Sequence, residues 1–256
     1  MTLAKTLGRS FAPLVDLIYP PRCPLCGEAI AAQTGLCASC WSELVIPGEP
    51  GCTRCQRPMG DHAREGSVCA PCIALPPRHA GIAAGTLYND ASRRLVLAFK
   101  HGKRIALSAM LARLIEARLP ELEGEWLIVP VPLHRGRLWR RGFNQAALLA
   151  RELAKRDGRW LLVDGLVRAK PTPVLGGLGK KARVRALKGA ISVNPKRSGI
   201  IKGANVVLVD DVLTSGATSE TCVSVLKRAG ARKIVIACFA RVLDEALDHK
   251  SEAPEA

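Results

Sequence analysis

Residues 206–218 read Val-Val-Leu-Val-Asp-Asp-Val-Leu-Thr-Ser-Gly-Ala-Thr, a run that few folds can accommodate. Residues 206–209 are apolar and mostly β-branched without polar alternation, which suits a strand covered on both faces of a parallel sheet. Residues 234–239 form a second such run. Between the two, residues 218–229 have helical character, and Gly230 can end that helix. Upstream, residues 91–99 and 106–119 read as helices; the second carries Leu107, Met110, Leu111, Leu114 and Ile115 at helical spacing. Residues 126–131 form a short apolar run with Pro130 inside it and Pro132 just after, consistent with a buried strand. Residues 144–156 put Ala147, Leu148, Ala150, Leu153 and Ala154 on one helical face. Strands alternating with helices predict an α/β fold with an open parallel sheet flanked by helices.

The chemistry concentrates where the first of those strands ends. Thr214, Ser215, Gly216, Ala217 and Thr218 can wrap backbone N–H groups and hydroxyls around a phosphate. The helix that follows adds the positive end of its dipole, equivalent to about half a charge. Asp210 and Asp211, just upstream, can accept hydrogen bonds from the two hydroxyls of a ribose carrying that phosphate. Negative charge beneath the sugar would also stabilise an oxocarbenium-like transition state as its C1 bond breaks. An ordinary capped turn after an acidic strand end is the competing reading. The complete strand, acid pair, small-residue loop and helix make it the weaker one.

The cysteines set a second constraint. Eight of the ten lie between Cys23 and Cys72, in four C-x2-C pairs. Cys23, Cys26, Cys37 and Cys40 form one group, and Cys52, Cys55, Cys69 and Cys72 the other. Two thiolates separated by two residues can hold one side of a metal, and two pairs complete a tetrahedron. About two structural Zn²⁺ ions are expected, with no position left open for a catalytic water. A cross-braced exchange of pairs has the same signature, so the sequence leaves the pairing open. His62 is read as a loop histidine because four thiols suffice; Cys222 and Cys238 are read as core residues.

Length and charge then divide the chain. At roughly 150 residues per domain, 256 residues allow two modest units. The formal charge is +16. Residues 1–80 carry seven basic and six acidic side chains, leaving 31 basic and 16 acidic for residues 81–256. With Pro76-Pro77 at the junction, the expected organisation has three parts. Residues 1–80 form an N-terminal helix and a double zinc-ribbon module with four cysteines to each metal, 81–243 an α/β domain, and 244–256 an acidic tail. No stretch has the ~18 apolar residues of a membrane span. The N-terminal segment lacks the pattern of a secretory signal, so the expected compartment is the cytoplasm. Arg135, Arg137, Arg140 and Arg141 form one basic run, and Lys180, Lys181, Arg183, Arg185 and Lys188 another. A solvated face, a clamp on a polyphosphate and a track for nucleic-acid phosphates all fit such runs. Only ten aromatic residues are present, which weakens any reading built on rows of stacking platforms.

Taken together, these motifs resemble the ComF family. Residues 206–218 are similar to the phosphoribosyl pyrophosphate (PRPP) signature of type I phosphoribosyltransferases. Further resemblance lies in the cysteine clusters, in Phe99-Lys100-His101-Gly102 and in the segment from Val129 to Arg135. Arg141-Gly142-Phe143-Asn144-Gln145 and Ala240-Arg241 complete it. The resemblance implies a type I phosphoribosyltransferase-like domain behind a double zinc ribbon. Asp210 and Asp211 would lie on the ribose, and Thr214 to Thr218 around its 5′-phosphate. Pro132, Leu133, His134 and Arg135 would approach the pyrophosphate, with Mg²⁺ bridging pyrophosphate and ribose oxygens. It further implies a part in natural competence, handling single-stranded DNA beside a helicase that the zinc module would dock.

One stretch departs from the pattern. Within residues 172–191, Thr172 and Arg183 match, but Leu175, Ala186 and Ile191 replace the usual Gln, Asn and Phe. In type I phosphoribosyltransferases the corresponding region forms the mobile loop that closes over the reaction, so by this resemblance the changes weigh on turnover more than on binding. Two readings follow: a PRPP-binding module serving DNA uptake, and an active phosphoribosyltransferase that transfers ribose 5-phosphate to a nitrogenous base.

Overall fold

The computed structural model describes residues 20–60, 62–100, 104–171 and 185–243. Several expectations lie outside the described residues: the N-terminal helix within 1–19, His101 and Gly102, the stretch holding Thr172, Leu175, Lys180, Lys181 and Arg183, and the tail 244–256.

The cysteine-rich part is two copies of one small unit. Cys23 and Cys52 each accept a backbone hydrogen bond at their carbonyl, from Gly27 N (2.9 Å) and Gln56 N (2.7 Å) respectively. Isolated bridges Arg22–Ala29 and Gly51–Pro58 close the two knuckles in the same way. Short helices α1 (Ala38–Ser42) and α2 (Ala70–Ala74) follow, with Cys37 and Cys69 as their N-caps.

The main sheet is built from β1 (Gly81–Leu87), β2 (Trp126–Pro130), β3 (Trp160–Leu161), β6 (Asn205–Leu213) and β7 (Ile234–Arg241). All its pairings are parallel, in the order β1-β7-β6-β2-β3. Between β3 and β6 the chain forms an antiparallel pair, β4 (Leu166–Arg168) with β5 (Ile191–Val193).

Helices α3 (Asp90–Lys100), α4 (Leu107–Glu116) and α6 (Gln145–Asp157) pack on one face of the sheet. Helix α8 (Ala217–Arg228) and the β4–β5 pair cover the other. Two further helices are short: α5 (Arg135–Arg141) and α7 (Ser198–Ile201).

Both faces being covered explains why the strands lack polar alternation. In β6, Val206 and Leu208 join the α8-side core while Val207 and Val209 join the opposite one. In β7, Ile234, Ile236 and Cys238 divide in the same way from Val235, Ala237 and Phe239. Cys222 and Cys238 are fully buried, as core residues should be.

The second cysteine unit belongs to this architecture directly. Cys52, Cys55, Cys69 and Cys72 share a continuous core with Ile82, Leu208 and Ile236. The free edge of β1 is also covered. Gln56 Oε1 accepts from Ala84 N at 3.3 Å, and Val45 O accepts from Leu87 N at 2.7 Å. An edge strand left open would present unpaired N–H and C=O groups to other chains.

Candidate functional site

With every strand of the main sheet parallel, the carboxyl ends of β2 and β6 open on the same side, where α/β sheets hold ligands. A cavity of about 350 Å³ lies there. Asp210 and Asp211 form its floor. β6 runs further than the sequence suggests: both acids lie within the strand, Asp210 in register with Cys238, and the strand ends only at Leu213.

The two carboxylates are in different surroundings. Asp210 Oδ1 accepts from Asp211 N at 2.9 Å, and Ser219 Oγ is 3.5 Å from Oδ2. Burial, with the Asp211 charge adding to it, pushes the Asp210 carboxyl up to about 7. Asp211 Oδ1 accepts from Val212 N at 2.7 Å, while its Oδ2 pairs with Lys100 Nζ at 2.9 Å.

The turn after β6 is short. Gly216 takes the left-handed conformation (φ 74°) and starts α8, and no side chain caps that helix start. Thr214 and Thr218 line the cavity. Ser215, Gly216 and Ala217 form the turn that presents them. The N–H groups of the first turn of α8 have no helical acceptor, so this is a natural seat for an anion.

Across the cavity, Pro132 and Leu133 line the wall. His134 and Arg135 do not, because the chain turns into α5 at this point. His134 Nδ1 accepts from Gly136 N at 3.2 Å as the N-cap, and Arg135 is exposed. The cations that reach the cavity are Lys100, Arg137, Arg141 and Arg168. Burial, then repulsion from Arg141 and Arg140, holds the Arg137 guanidinium below its ordinary value. Arg168 is only 8% exposed. Burial and Arg137 push it down as well, and Asp210 opposes them.

The segment from Arg141 to Gln145 is explained residue by residue. Gly142, at φ 82°, ends α5 by donating its N–H to Leu138 O. The Phe143 ring packs on Phe99, with centroids 6.2 Å apart. Asn144 caps α6 through Oδ1, which accepts from Ala146 N, while its Nδ2 donates to Val131 O at 3.0 Å. That side chain ties the end of β2 to the start of α6. Gln145 lines the cavity and is 3% exposed. Its Oε1 accepts from Arg141 at 3.0 Å, and its buried Nε2 has no hydrogen-bond partner among the described residues.

Arg168 and Gln145 had no place among the candidate residues read from the sequence. A single charge inside the apolar stretch Leu166-Val167-Arg168 was the signal available for the first. For Gln145 the signal was its place at the end of the Arg141-Gly142-Phe143-Asn144-Gln145 motif, which carried the resemblance but gave this residue no role.

The cysteines group in chain order, not cross-braced. Cys23, Cys26, Cys37 and Cys40 form one tetrad; Cys52, Cys55, Cys69 and Cys72 the other. Within each, the sulfurs lie within 4.8 Å of one another, with Cys26–Cys37 at 3.5 Å and Cys55–Cys69 at 3.6 Å. Tetrahedral zinc, with Zn–S near 2.3 Å, needs sulfurs roughly 3.8 Å apart, so both tetrads fit it. His62 is exposed and belongs to neither.

Two family models match the chain: a double zinc ribbon domain over residues 14–73 and a phosphoribosyl transferase domain over residues 140–254. Competence protein F of Haemophilus influenzae is 31% identical over 231 residues, covering 86% of this chain and 96% of that protein. The chain belongs to the ComF family. Other members are similar to it over nearly their whole length. DNA utilization protein YhgH of Salmonella typhimurium is 31% identical over 234 residues, 89% of this chain and 100% of that protein. Competence protein ComFC of Streptococcus pneumoniae is 23% identical over 239 residues, 83% and 96% respectively. Within this ComF-family chain, no helix among the described residues is long and apolar enough to cross a membrane.

Proposed function

We propose that this ComF-family protein binds PRPP together with Mg²⁺ and works as a PRPP-dependent component of DNA uptake and utilisation. The observation that carries the reading is one cavity. It joins a pair of carboxylates and a hydroxyl-bearing helix start to Lys100, Arg137, Arg141 and Arg168. The Thr214 and Thr218 hydroxyls and the N–H groups opening α8 take the 5′-phosphate. Asp210 and Asp211 accept hydrogen bonds from the ribose 2′- and 3′-hydroxyls. Arg137 and Arg141 hold the pyrophosphate beside Pro132 and Leu133, and the Gln145 Nε2 donor finds its acceptor there. This moves the pyrophosphate contact expected of His134 and Arg135 to Arg137 and Arg141, further along α5.

Apart from the two cysteine tetrads, the described residues offer no cluster of three metal-ligating side chains. A Mg²⁺ ion here would therefore be held mostly by ligand oxygens and water, with an Asp carboxylate at most assisting, as is usual for this ion. When bound, it would neutralise pyrophosphate charge.

Calorimetric titration with Mg²⁺ and PRPP tests the reading. Wild-type protein should bind, and Asp210→Asn and Asp211→Asn should each weaken binding at least tenfold. A wild-type protein that gives no heat and no thermal shift with PRPP would sink the proposal. The intact acid pair also supports the second reading, an active phosphoribosyltransferase. In that reaction a nitrogen lone pair forms the bond to C1, and the C1–O bond breaks to release pyrophosphate. Pyrophosphate release across a panel of nitrogenous bases separates the two.

A further inference from the structure

Helix α5 has two different sides. At 100° per residue, Arg137 and Arg141 share one side, and both line the cavity. Arg135 and Trp139, four residues apart, share the other. Trp139 is 88% exposed, more than any other large apolar residue described. Leu138 beside it is 40% exposed, and Arg135 and Arg140 are exposed as well. No acidic residue occurs between Glu125 and Glu152, so the whole segment presents positive charge only.

We propose that the outer side of α5 is a binding site for single-stranded DNA. One base stacks on the Trp139 indole, Arg135 on the same side takes a flanking backbone phosphate, and Arg140, exposed at the margin between the two sides, takes the next. The inference rests on the DNA-handling part of the function proposed above and adds to it the surface that does the handling. A large aromatic face left in water and flanked by cations is complementary to an unpaired base flanked by phosphates. A duplex offers the same phosphates, but its base faces are already stacked on each other. A lipid surface calls for a long amphipathic helix with a broad apolar side. Helix α5 has seven residues and offers Trp139 and Leu138. A second copy of this chain would bring arginines against arginines. In a chain with ten aromatics, one nearly bare tryptophan is enough for a single stacking step. It does not require the rows of aromatics that the sequence lacks.

The test is fluorescence anisotropy with a labelled oligothymidine of about 20 nucleotides, longer than the site of a single small binding fold. Wild type, Trp139→Ala, Trp139→Phe and Arg135→Ala are compared at several salt concentrations. Trp139→Ala should weaken binding about tenfold, while Trp139→Phe, which keeps a π-face, stays within about threefold of wild type. Arg135→Ala should lower the salt slope by about 0.7, one phosphate contact on a single strand. PRPP affinity and melting temperature should be unchanged in Trp139→Ala, because Trp139 does not line the cavity and is not packed in the core.

If wild type does not bind the oligonucleotide, the DNA-handling reading itself fails, and this inference with it. If wild type binds and Trp139→Ala binds equally well, only the inference fails. A Trp139-dependent preference for duplex, or Trp139-dependent self-association or vesicle binding without any effect on the oligonucleotide, also overturns it.

Discussion

Asp210 lies half-buried under the cavity, with Asp211 next in the chain and Lys100 paired to that neighbour. Burial and the Asp211 charge both disfavour its ionised form, and its carboxyl is pushed up to about 7. In the unfolded chain the same group titrates near 4. Between those values the folded state binds more protons than the unfolded one, so stability falls as pH rises through the window. The penalty is absent below about pH 4 and complete above about pH 7. Asp210→Asn cannot ionise and should escape it. Melting curves of wild type and Asp210→Asn should therefore coincide near pH 4 and diverge up to pH 7, the variant melting several degrees higher at pH 8. Parallel curves across this range would contradict the assignment. Lys100→Met should leave the onset near pH 4 and carry the divergence on to higher pH, since the Lys100 charge favours ionised Asp210. A group that costs stability at neutral pH and yet sits at the cavity floor is what a functional role demands. The acid pair was legible in the sequence because two adjacent carboxylates at the end of an apolar strand are rare. Arg168 was not, because nothing local says where a lone arginine on a distant short strand will point.

Among the elements, β1 illustrates why part of the fold escaped the sequence. Gly81–Leu87 reads Gly-Ile-Ala-Ala-Gly-Thr-Leu, with small residues where strands prefer β-branched ones. The structure supplies the reason in the approach of α4. A Cβ on Gly85 would lie 3.0 Å from Leu114 Cβ, 3.1 Å from the Leu114 carbonyl carbon and 3.2 Å from Ile115 N. Two of those three neighbours are backbone and cannot swing aside. Gly85→Ala should cost about 1–3 kcal/mol by overpacking, measurable as a lower urea midpoint at unchanged slope. An unchanged midpoint would mean that α4 can shift away from the sheet.

Gln56 poses the opposite case. It holds φ +53° at the position where the first knuckle has Gly27 at +80°. Its side chain accepts from Ala84 N and donates to Arg118 O at 3.0 Å, so the αL strain is set against a tether across the β1 edge. The periodic elements α4, α6, α8, β2, β6 and β7 were readable because each buries a regular stripe or a whole strand. The charged helix α5 was not: its arginines read only as a basic run, and its start and end depend on the His134 cap and on Gly142. β3 has two residues, and β4 and β5 three each, too few for any period to register.

Across the whole molecule, the two cysteine tetrads are alike in geometry and unlike in what they support. Cys23, Cys37 and Cys40 pack in a small cluster of their own with Leu25, Ile30 and Leu36 at its margin. Cys52, Cys55, Cys69 and Cys72 lie in the main core with strands β1, β6 and β7. Metal in the second tetrad would therefore hold part of the sheet's packing, while metal in the first would hold a lobe beside it. A small metal site contributes its binding energy to folding, so its loss is felt by whatever shares its core. Metal analysis should give about two zincs per wild-type chain and about one in either Cys26→Ser or Cys55→Ser. The two variants should then part. Cys55→Ser should lower the main melting transition by ten degrees or so and weaken PRPP binding, because β1, β7 and β6 run on to the cavity floor. Cys26→Ser should leave that transition within a few degrees, with loss of protection in hydrogen exchange confined to residues near 20–46. Equal destabilisation by both would show that the first lobe is as much a part of the core as the second. Charge divides the sequence into a nearly neutral cysteine-rich part and a basic remainder, while the core runs across that line. Half of the module is built into the wall of the sheet whose far end carries Asp210 and Asp211.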